Sequence, residues 1–195
     1  KDGDVYKAGQ LLRANRLTQY KDMENGDWQF LMWDEEENRT KVPKGSVGNR
    51  WAKENKGHWN LKLEDNADGS KIAPKLTFLK DSDQVYSVEL DDFSQGETII
   101  RNVPVKMIET ADGQVPVATV YDLLMAQYGV GRGLEGYPEN YEEDATYTPA
   151  WAEKYTGIAP ETLIRFAREW ASTAEKTGGK CTVIIGAGIN HWYHA

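Results

Sequence analysis

The most constraining feature of this sequence is an apolar run that leads directly into a glycine turn near its end. Residues 182–185 are β-branched throughout, and Gly186-Ala187-Gly188 follows without a break. A continuous run of this kind is typical of a strand buried in a parallel sheet. Glycines directly after such a strand allow the backbone to approach a phosphate closely, and the next helix directs its N-terminus at the anion. Because the sequence stops at Ala195, before such a helix, we expect a segment cut within a cofactor-facing loop.

Two helices are predicted immediately before this strand. A short helix begins at Pro149, with Thr148 as its N-cap. A longer amphipathic helix begins at Pro160 and ends at Gly178-Gly179. The order helix, helix, strand and glycine loop predicts an α/β segment over residues 119–195. In open α/β sheets ligands bind at the carboxyl ends of strands, which is where this order places the glycine turn.

The sequence before residue 119 divides into two further predicted regions. Residues 1–24 form an N-terminal helical lead-in, and residues 25–118 form a β-rich insertion. A helix capped by Thr119 then opens the α/β segment. The whole chain is therefore expected to have an α/β fold of the mixed α+β kind. The elements predicted within the insertion are a hairpin over 28–42, strands over 59–63, 75–79 and 84–90, and a hairpin that turns at Asp112-Gly113.

Composition excludes several classes of function. The 195 residues carry a net charge of −8 and lack clustered Lys and Arg, which argues against a nucleic-acid partner. No apolar stretch approaches the roughly 20 residues of a membrane span. The single cysteine, Cys181, lies in an apolar context and is expected to be a small buried hydrophobe that forms no internal disulfide. The polar start Lys1-Asp2-Gly3-Asp4 lacks both Met and a signal sequence, which again favours an excised segment.

A polar cluster follows the glycine turn. Gly186-x-Gly188-x-x-His191 is part of a dinucleotide fingerprint with histidine in place of the third glycine, and a plain strand-to-helix turn is the alternative. His191 and His194 would share one face of a helix, but the sequence shows no third ligand for a zinc site. Asn190 and His191 are better suited to hydrogen bonding with an anionic ligand. A capped and packed helix start is the other interpretation.

Several stretches resemble one enzyme family. Residues 147–158 and 164–170 resemble the block of the molybdopterin oxidoreductases in which a helix pair precedes a glycine loop that holds a pterin–guanine dinucleotide. The tail 184–194 and the stretch 42–51 are more specific: they are similar to the catalytic alpha subunits of membrane-bound respiratory nitrate reductases. The resemblance covers nearly the whole chain and is loosest over residues 62–97.

This resemblance implies the activity, the cofactors and the site residues. Such enzymes reduce nitrate to nitrite at molybdenum held by two molybdopterin guanine dinucleotides, with electrons from quinol through iron–sulfur clusters. By the resemblance, the cofactor-binding residues are Gly186, Ala187, Gly188, Asn190 and His191. His191 would also be the catalytic residue of the pocket, as a hydrogen-bond donor or substrate-orienting group. No residue of this chain is expected to ligate a metal.

The resemblance also implies partners and a location. The full complex would contain an iron–sulfur beta subunit and a membrane cytochrome b gamma subunit, with this subunit peripheral on the cytoplasmic face of a bacterial membrane. The family's [4Fe-4S] ligands and its molybdenum-ligating carboxylate would lie before Lys1, and further dinucleotide-binding segments after Ala195. We therefore expect the isolated fragment to be inactive. The alternatives are a related oxidoreductase acting on chlorate or selenate, and a non-catalytic interaction module.

Overall fold

A computed structural model describes residues 5–44, 63–92 and 97–186. It contains both strands and helices, which confirms the mixed α+β class. The chain divides into two compact units, Lys1–Tyr137 and Pro138–Ala195. The strands are β1 Val5–Lys7, β2 Met32–Asp34, β3 Arg39–Lys41, β4 Gln84–Asp91, β5 Thr98–Thr110 and β6 Gly113–Val117, and the helices are α1 Val120–Gln127, α2 Pro149–Thr156 and α3 Pro160–Thr177.

The first unit is built on a four-stranded sheet in the order β1-β4-β5-β6. β1 is parallel to β4, and the other neighbours are antiparallel. The long strand β5 pairs with β4 through residues 98–105 and with β6 through residues 106–110, so one strand joins both halves of the sheet. The turn between β5 and β6 places Gly113 at a φ of 104°, which favours glycine. The predicted Asp112-Gly113 hairpin is confirmed.

A second, two-stranded sheet consists of β2 and β3, with Met32 opposite Lys41. This confirms the predicted hairpin over 28–42, although the paired strands are shorter. The strand predicted over 75–79 is wrong, because these residues lie beside the hairpin without a ladder of their own. The Lys75 N–H donates to the Trp33 carbonyl at 2.9 Å, and the Phe78 N–H donates to the Asp122 carboxylate at 2.9 Å. Because these backbone N–H groups bond to different parts of the chain, the segment does not form the continuous hydrogen-bond ladder of a β-strand.

The predicted N-terminal helical lead-in contains two 3₁₀ turns, Ala14–Arg16 and Thr18–Tyr20, which follow strand β1. Their backbone bonds span three residues, as in the bond from the Leu17 N–H to the Ala14 carbonyl at 3.0 Å. The spacing of Leu11, Leu12 and Leu17 predicts one helix, but the structure has two separate three-residue turns with extended backbone at Leu17 between them. The turns instead insert side chains into a buried cluster made of Ala14, Leu17, Tyr20, Val42 and Ile108.

Helix α1 covers a second buried cluster. Ala126 of the helix packs with Val88, Leu90 and Val103 of the sheet. The helix begins as predicted, because the Thr119 side chain accepts a hydrogen bond from the Asp122 N–H at 2.9 Å.

In the second unit, α2 and α3 have the predicted caps. The Thr148 hydroxyl accepts from the Trp151 N–H at 3.1 Å, and Pro149 occupies the first turn. Gly157 ends α2 at a φ of 68° and Gly178 ends α3 at a φ of 65°, both left-handed as in common helix terminators. The predicted domain boundaries after residues 24 and 118 stay a prediction, as does the description of residues 25–118 as an insertion.

Replacing Gly131 with alanine is expected to lower the free energy of unfolding by about 1–3 kcal/mol, because the space beside it is filled. An added Cβ would lie 2.6 Å from the Tyr137 Cβ. The Tyr137 ring is held in place, since its hydroxyl donates to the Asn102 carbonyl at 2.6 Å and the Arg101 guanidinium lies 5.1 Å from its centroid. Gly9→Ala is the matched control, because a Cβ there meets no atom within 4 Å. Equal urea-denaturation midpoints for the two variants would contradict this prediction.

Candidate functional site

Of the predicted cofactor-facing turn, the structure describes only the first residue, Gly186. Ala187, Gly188, Asn190 and His191 lie outside the described residues. Gly186 is exposed, and a Cβ added there would meet no atom within 4 Å. Its backbone is therefore open to close approach, but the described residues do not by themselves form a cradle for a dinucleotide.

The predicted strand before the turn is not formed in the structure. Within the described part of the chain, residues 181–186 pair with no strand, and Val183, Ile184 and Ile185 are 66%, 91% and 56% exposed. A parallel strand needs a neighbour whose backbone groups complete its ladder, and no described segment supplies one. Cys181 is half-buried rather than buried, with its Sγ 3.8 Å from the Trp170 carbonyl oxygen.

A buried carboxylate links three distant parts of the first unit, and the sequence analysis did not single it out. Asp122 is fully buried and accepts hydrogen bonds from the Thr77 hydroxyl, from the Phe78 N–H at 2.9 Å and from the Thr119 hydroxyl at 2.9 Å. Arg132 pairs with it at 2.8 Å. The spacing Thr119-x-x-Asp122, which resembles a capping box, is the local signal that could have drawn attention to it. Because its oxygens are fully engaged, Asp122 serves as a structural clamp.

A second buried charge cluster lies in the β2–β3 hairpin. Lys41 is fully buried, and its Nζ lies 2.9 Å from Asp34, 2.6 Å from Glu37 and 2.8 Å from the Lys71 carbonyl oxygen. Burial tends to lower the pKa of Lys41, but hydrogen bonds to Glu37 and Asp34 outweigh it and the pKa is raised. Burial likewise tends to raise the pKa of Asp34, but bonds from the Ala73 N–H and from Lys41 leave that pKa lowered. Both groups stay charged at neutral pH, which suits an ion pair and not proton transfer.

The described residues include no group of three or more His, Cys, Asp or Glu side chains placed to hold a metal ion. The chain's one cysteine, Cys181, cannot by itself hold an iron–sulfur cluster, which takes several cysteine ligands. Over the described residues, no helix is both long enough and apolar enough to cross a membrane.

Comparison with known proteins gives the class of the chain. No family model matches it. Curated relatives are reductase alpha chains: the respiratory nitrate reductase 1 alpha chain of Escherichia coli is 37% identical over 209 residues, the nitrate reductase alpha chain of Bacillus subtilis 35% over 198, and the nitrate reductase alpha subunit of Mycobacterium tuberculosis 36% over 207. Each alignment takes in 100% of this chain.

The chain belongs to the nitrate reductase alpha chain family. It spans 16% of the length of each of these three relatives. The family resemblance seen in the sequence is thereby confirmed.

Proposed function

We propose that this chain is a segment of the catalytic subunit of a nitrate reductase, which reduces nitrate to nitrite. The observation that carries the proposal is the alignment of the entire chain with nitrate reductase alpha chains at 35–37% identity. We assign the described residues a framework role and expect the segment alone to be inactive, because it spans 16% of the length of these relatives. Within the first unit, the buried charges of Asp122 and Lys41 hold together segments that are far apart in sequence.

In the full-length subunit we assign the glycine turn to cofactor binding. Gly186, Ala187, Gly188 and Asn190 would approach a molybdopterin guanine dinucleotide, and His191 would donate a hydrogen bond in the pocket. Support comes from the strand-like run and glycine spacing and from the open surroundings of Gly186. The molybdenum centre, when bound, would supply the two electrons for nitrate reduction, and [4Fe-4S] ligands would come from other parts of the subunit.

The proposal extends to partners and location. We place the subunit on the cytoplasmic face of a bacterial membrane, with an iron–sulfur beta subunit and a cytochrome b gamma subunit that passes electrons from quinol. The support is that the Escherichia coli relative is the alpha chain of a respiratory nitrate reductase.

His191→Ala in the full-length subunit is expected to lower nitrate turnover about 100-fold, the usual effect of losing one hydrogen-bond donor in a reaction pocket. Molybdenum content and the melting temperature are expected to stay at wild-type values. His58→Ala is the matched control, because the polar, glycine-containing stretch Lys56-Gly57-His58-Trp59 predicts a solvent-exposed loop for His58. Steady-state rates and metal analysis of both variants measure the effect.

Three outcomes would contradict parts of this proposal. A wild-type rate for His191→Ala would remove the role of that residue. Preferential reduction of chlorate or selenate by the unaltered subunit would favour a related oxidoreductase. A full-length protein that retains no molybdenum and reduces no oxyanion would overturn the enzymatic function in favour of an interaction module.

A further inference from the structure

The sequence contains a single Asn-Gly pair, Asn25-Gly26, and the local fold favours each of its two residues for a different reason. Asn25 has a φ of 54°, in the left-handed region that asparagine adopts more readily than most residues with a side chain. At Gly26 the constraint is space, because an added Cβ would lie 3.1 Å from the Met23 carbonyl oxygen and 3.2 Å from the Asn15 Cβ. Backbone conformation thus favours asparagine at the first position, and packing favours glycine at the second.

An Asn-Gly pair is chemically labile in water. The glycine nitrogen bonds to the asparagine Cγ while the Cγ–Nδ2 bond breaks, which releases ammonia and leaves a succinimide ring. Water then breaks one of the two C–N bonds that join the ring nitrogen to its carbonyls, and the product is aspartate or isoaspartate. The net reaction consumes one water and releases one ammonia, with no oxidant or reductant. Ring closure is easiest before glycine, because glycine has no Cβ beside the attacking nitrogen.

We propose that Asn25 is a deamidation site of this subunit, and that the folded turn around Gly26 slows the reaction. Asn25 is exposed, so water reaches its side-chain amide. The attacking nitrogen is restrained, because Gly26 is buried and its N–H donates to the Met23 carbonyl at 3.1 Å. Ring closure requires this hydrogen bond to break in a buried position, so the turn has to open first. The rate in the folded protein then follows the population of the open turn.

Formation of isoaspartate would disrupt the turn. It inserts one methylene into the main chain, an added C–C bond of about 1.5 Å, and converts the Asn25 main-chain carbonyl into a free carboxylate. That carbonyl oxygen accepts from the Trp28 N–H at 2.9 Å, and the next one, of Gly26, accepts from the Asn15 N–H at 3.1 Å. Asn15 lies in the 3₁₀ turn that also contains the fully buried Ala14, so the change would loosen one side of the first buried cluster.

Mass spectrometry of the full-length subunit tests the proposal. Samples are kept at mildly alkaline pH, folded or in urea, and conversion of Asn25 from amide to acid is followed in its peptide. An isoaspartyl methyltransferase identifies isoaspartate in the same peptide. We expect Asn25 to react at least about tenfold faster in urea than in the folded subunit, because unfolding frees the Gly26 nitrogen.

Asn38 is the matched control in the same samples, because it is exposed and has a φ of 53° but is followed by Arg39. In urea it is expected to react roughly tenfold more slowly than Asn25, since the Cβ of Arg39 hinders ring closure. Asn25→Gly keeps a residue suited to the left-handed backbone and removes the amide, so the mass change should disappear.

Ala14→Gly tests the restraint in the folded subunit. It weakens the 3₁₀ turn that bonds to Gly26 and is expected to speed folded-state deamidation of Asn25 by about fivefold. Ala8→Gly is the matched control, because Ala8 is exposed, and it should leave the rate unchanged. If Ala14→Gly does not fold, the comparison of folded and urea-treated wild-type subunit still decides the proposal.

Two results would overturn the proposal. Equal rates for Asn25 in the folded and urea-treated subunit would show that the turn does not slow the reaction. A rate for Asn25 in urea no higher than that of Asn38 would show that the pair is not a preferred deamidation site. Neither measurement depends on nitrate reduction, so this proposal and the proposed function stand or fail separately.

Discussion

Replacing Asp122 with alanine is expected to lower the free energy of unfolding by roughly 3–5 kcal/mol, the usual effect of breaking a buried ion pair from one side. The substitution leaves Arg132 as a largely buried charge, because its side chain is 16% exposed and pairs with this carboxylate at 2.8 Å. It also removes the acceptor for the Phe78 N–H and for the Thr119 hydroxyl. Each buried donor left without a partner adds to the loss.

The matched control is Asp112→Ala, which removes an exposed aspartate that pairs with Arg16 at 2.5 Å. An exposed pair of this kind contributes about 0–1 kcal/mol, so its loss should shift the urea midpoint little. Equilibrium urea denaturation of the two variants measures the difference. Similar midpoints would show that solvent reaches Asp122 and that the clamp is not a buried one.

Replacing Phe78 with alanine is expected to lower the free energy of unfolding by roughly 3–5 kcal/mol, as for other buried aromatic residues. The Phe78 side chain is 3% exposed, and its ring meets Trp33 edge-on with centroids 5.6 Å apart. The Lys106 ammonium lies 5.6 Å from the Phe78 centroid and 5.0 Å from that of Trp33. Removing the ring leaves a cavity and takes away one aromatic face from a mostly buried cation.

Phe30→Ala is the control for this effect, because Phe30 is 52% exposed and has a guanidinium, that of Arg13, 4.1 Å from its ring centroid. Its loss is expected to be about 1 kcal/mol or less, since little burial is removed. Thermal and urea unfolding of both variants would separate them. An equal effect for Phe30→Ala would mean that cation contacts, rather than burial, set the stability of this region.

The elements that could be predicted are those whose signals are local. Thr119 and Thr148 cap helices by accepting bonds from N–H groups three residues on, and Gly178 ends a helix by a left-handed backbone. The Asp112-Gly113 hairpin needs only the backbone preference of its own turn. In each case the interacting groups lie within four residues, so the sequence pattern contains the whole interaction.

The features that were missed depend on groups far apart in sequence. The hydroxyl of Thr77 and the carboxylate of Asp122 are 45 residues apart, and no local pattern links them. From the sequence, Lys41 is expected to be an ordinary surface residue of a hairpin. In the structure it is buried, and its ammonium donates a hydrogen bond to the carbonyl of Lys71, which is 30 residues away. The segment 75–79 has strand-like alternation, but separate partners take its backbone donors.

The sequence alone determined the family of this chain, because family resemblance is a property of the sequence itself. It also determined the positions of the caps and turns, because the hydrogen bonds that form them join residues close together in sequence. The tertiary structure decided which charges are buried as clamps, as at Asp122, since burial depends on segments that meet only after folding. It also decided the burial of the run 182–185. The apolar pattern of this run predicts a buried strand, but Val183, Ile184 and Ile185 are exposed. An apolar run determines a tendency to pair, but only a neighbouring strand can satisfy its backbone and cover its side chains.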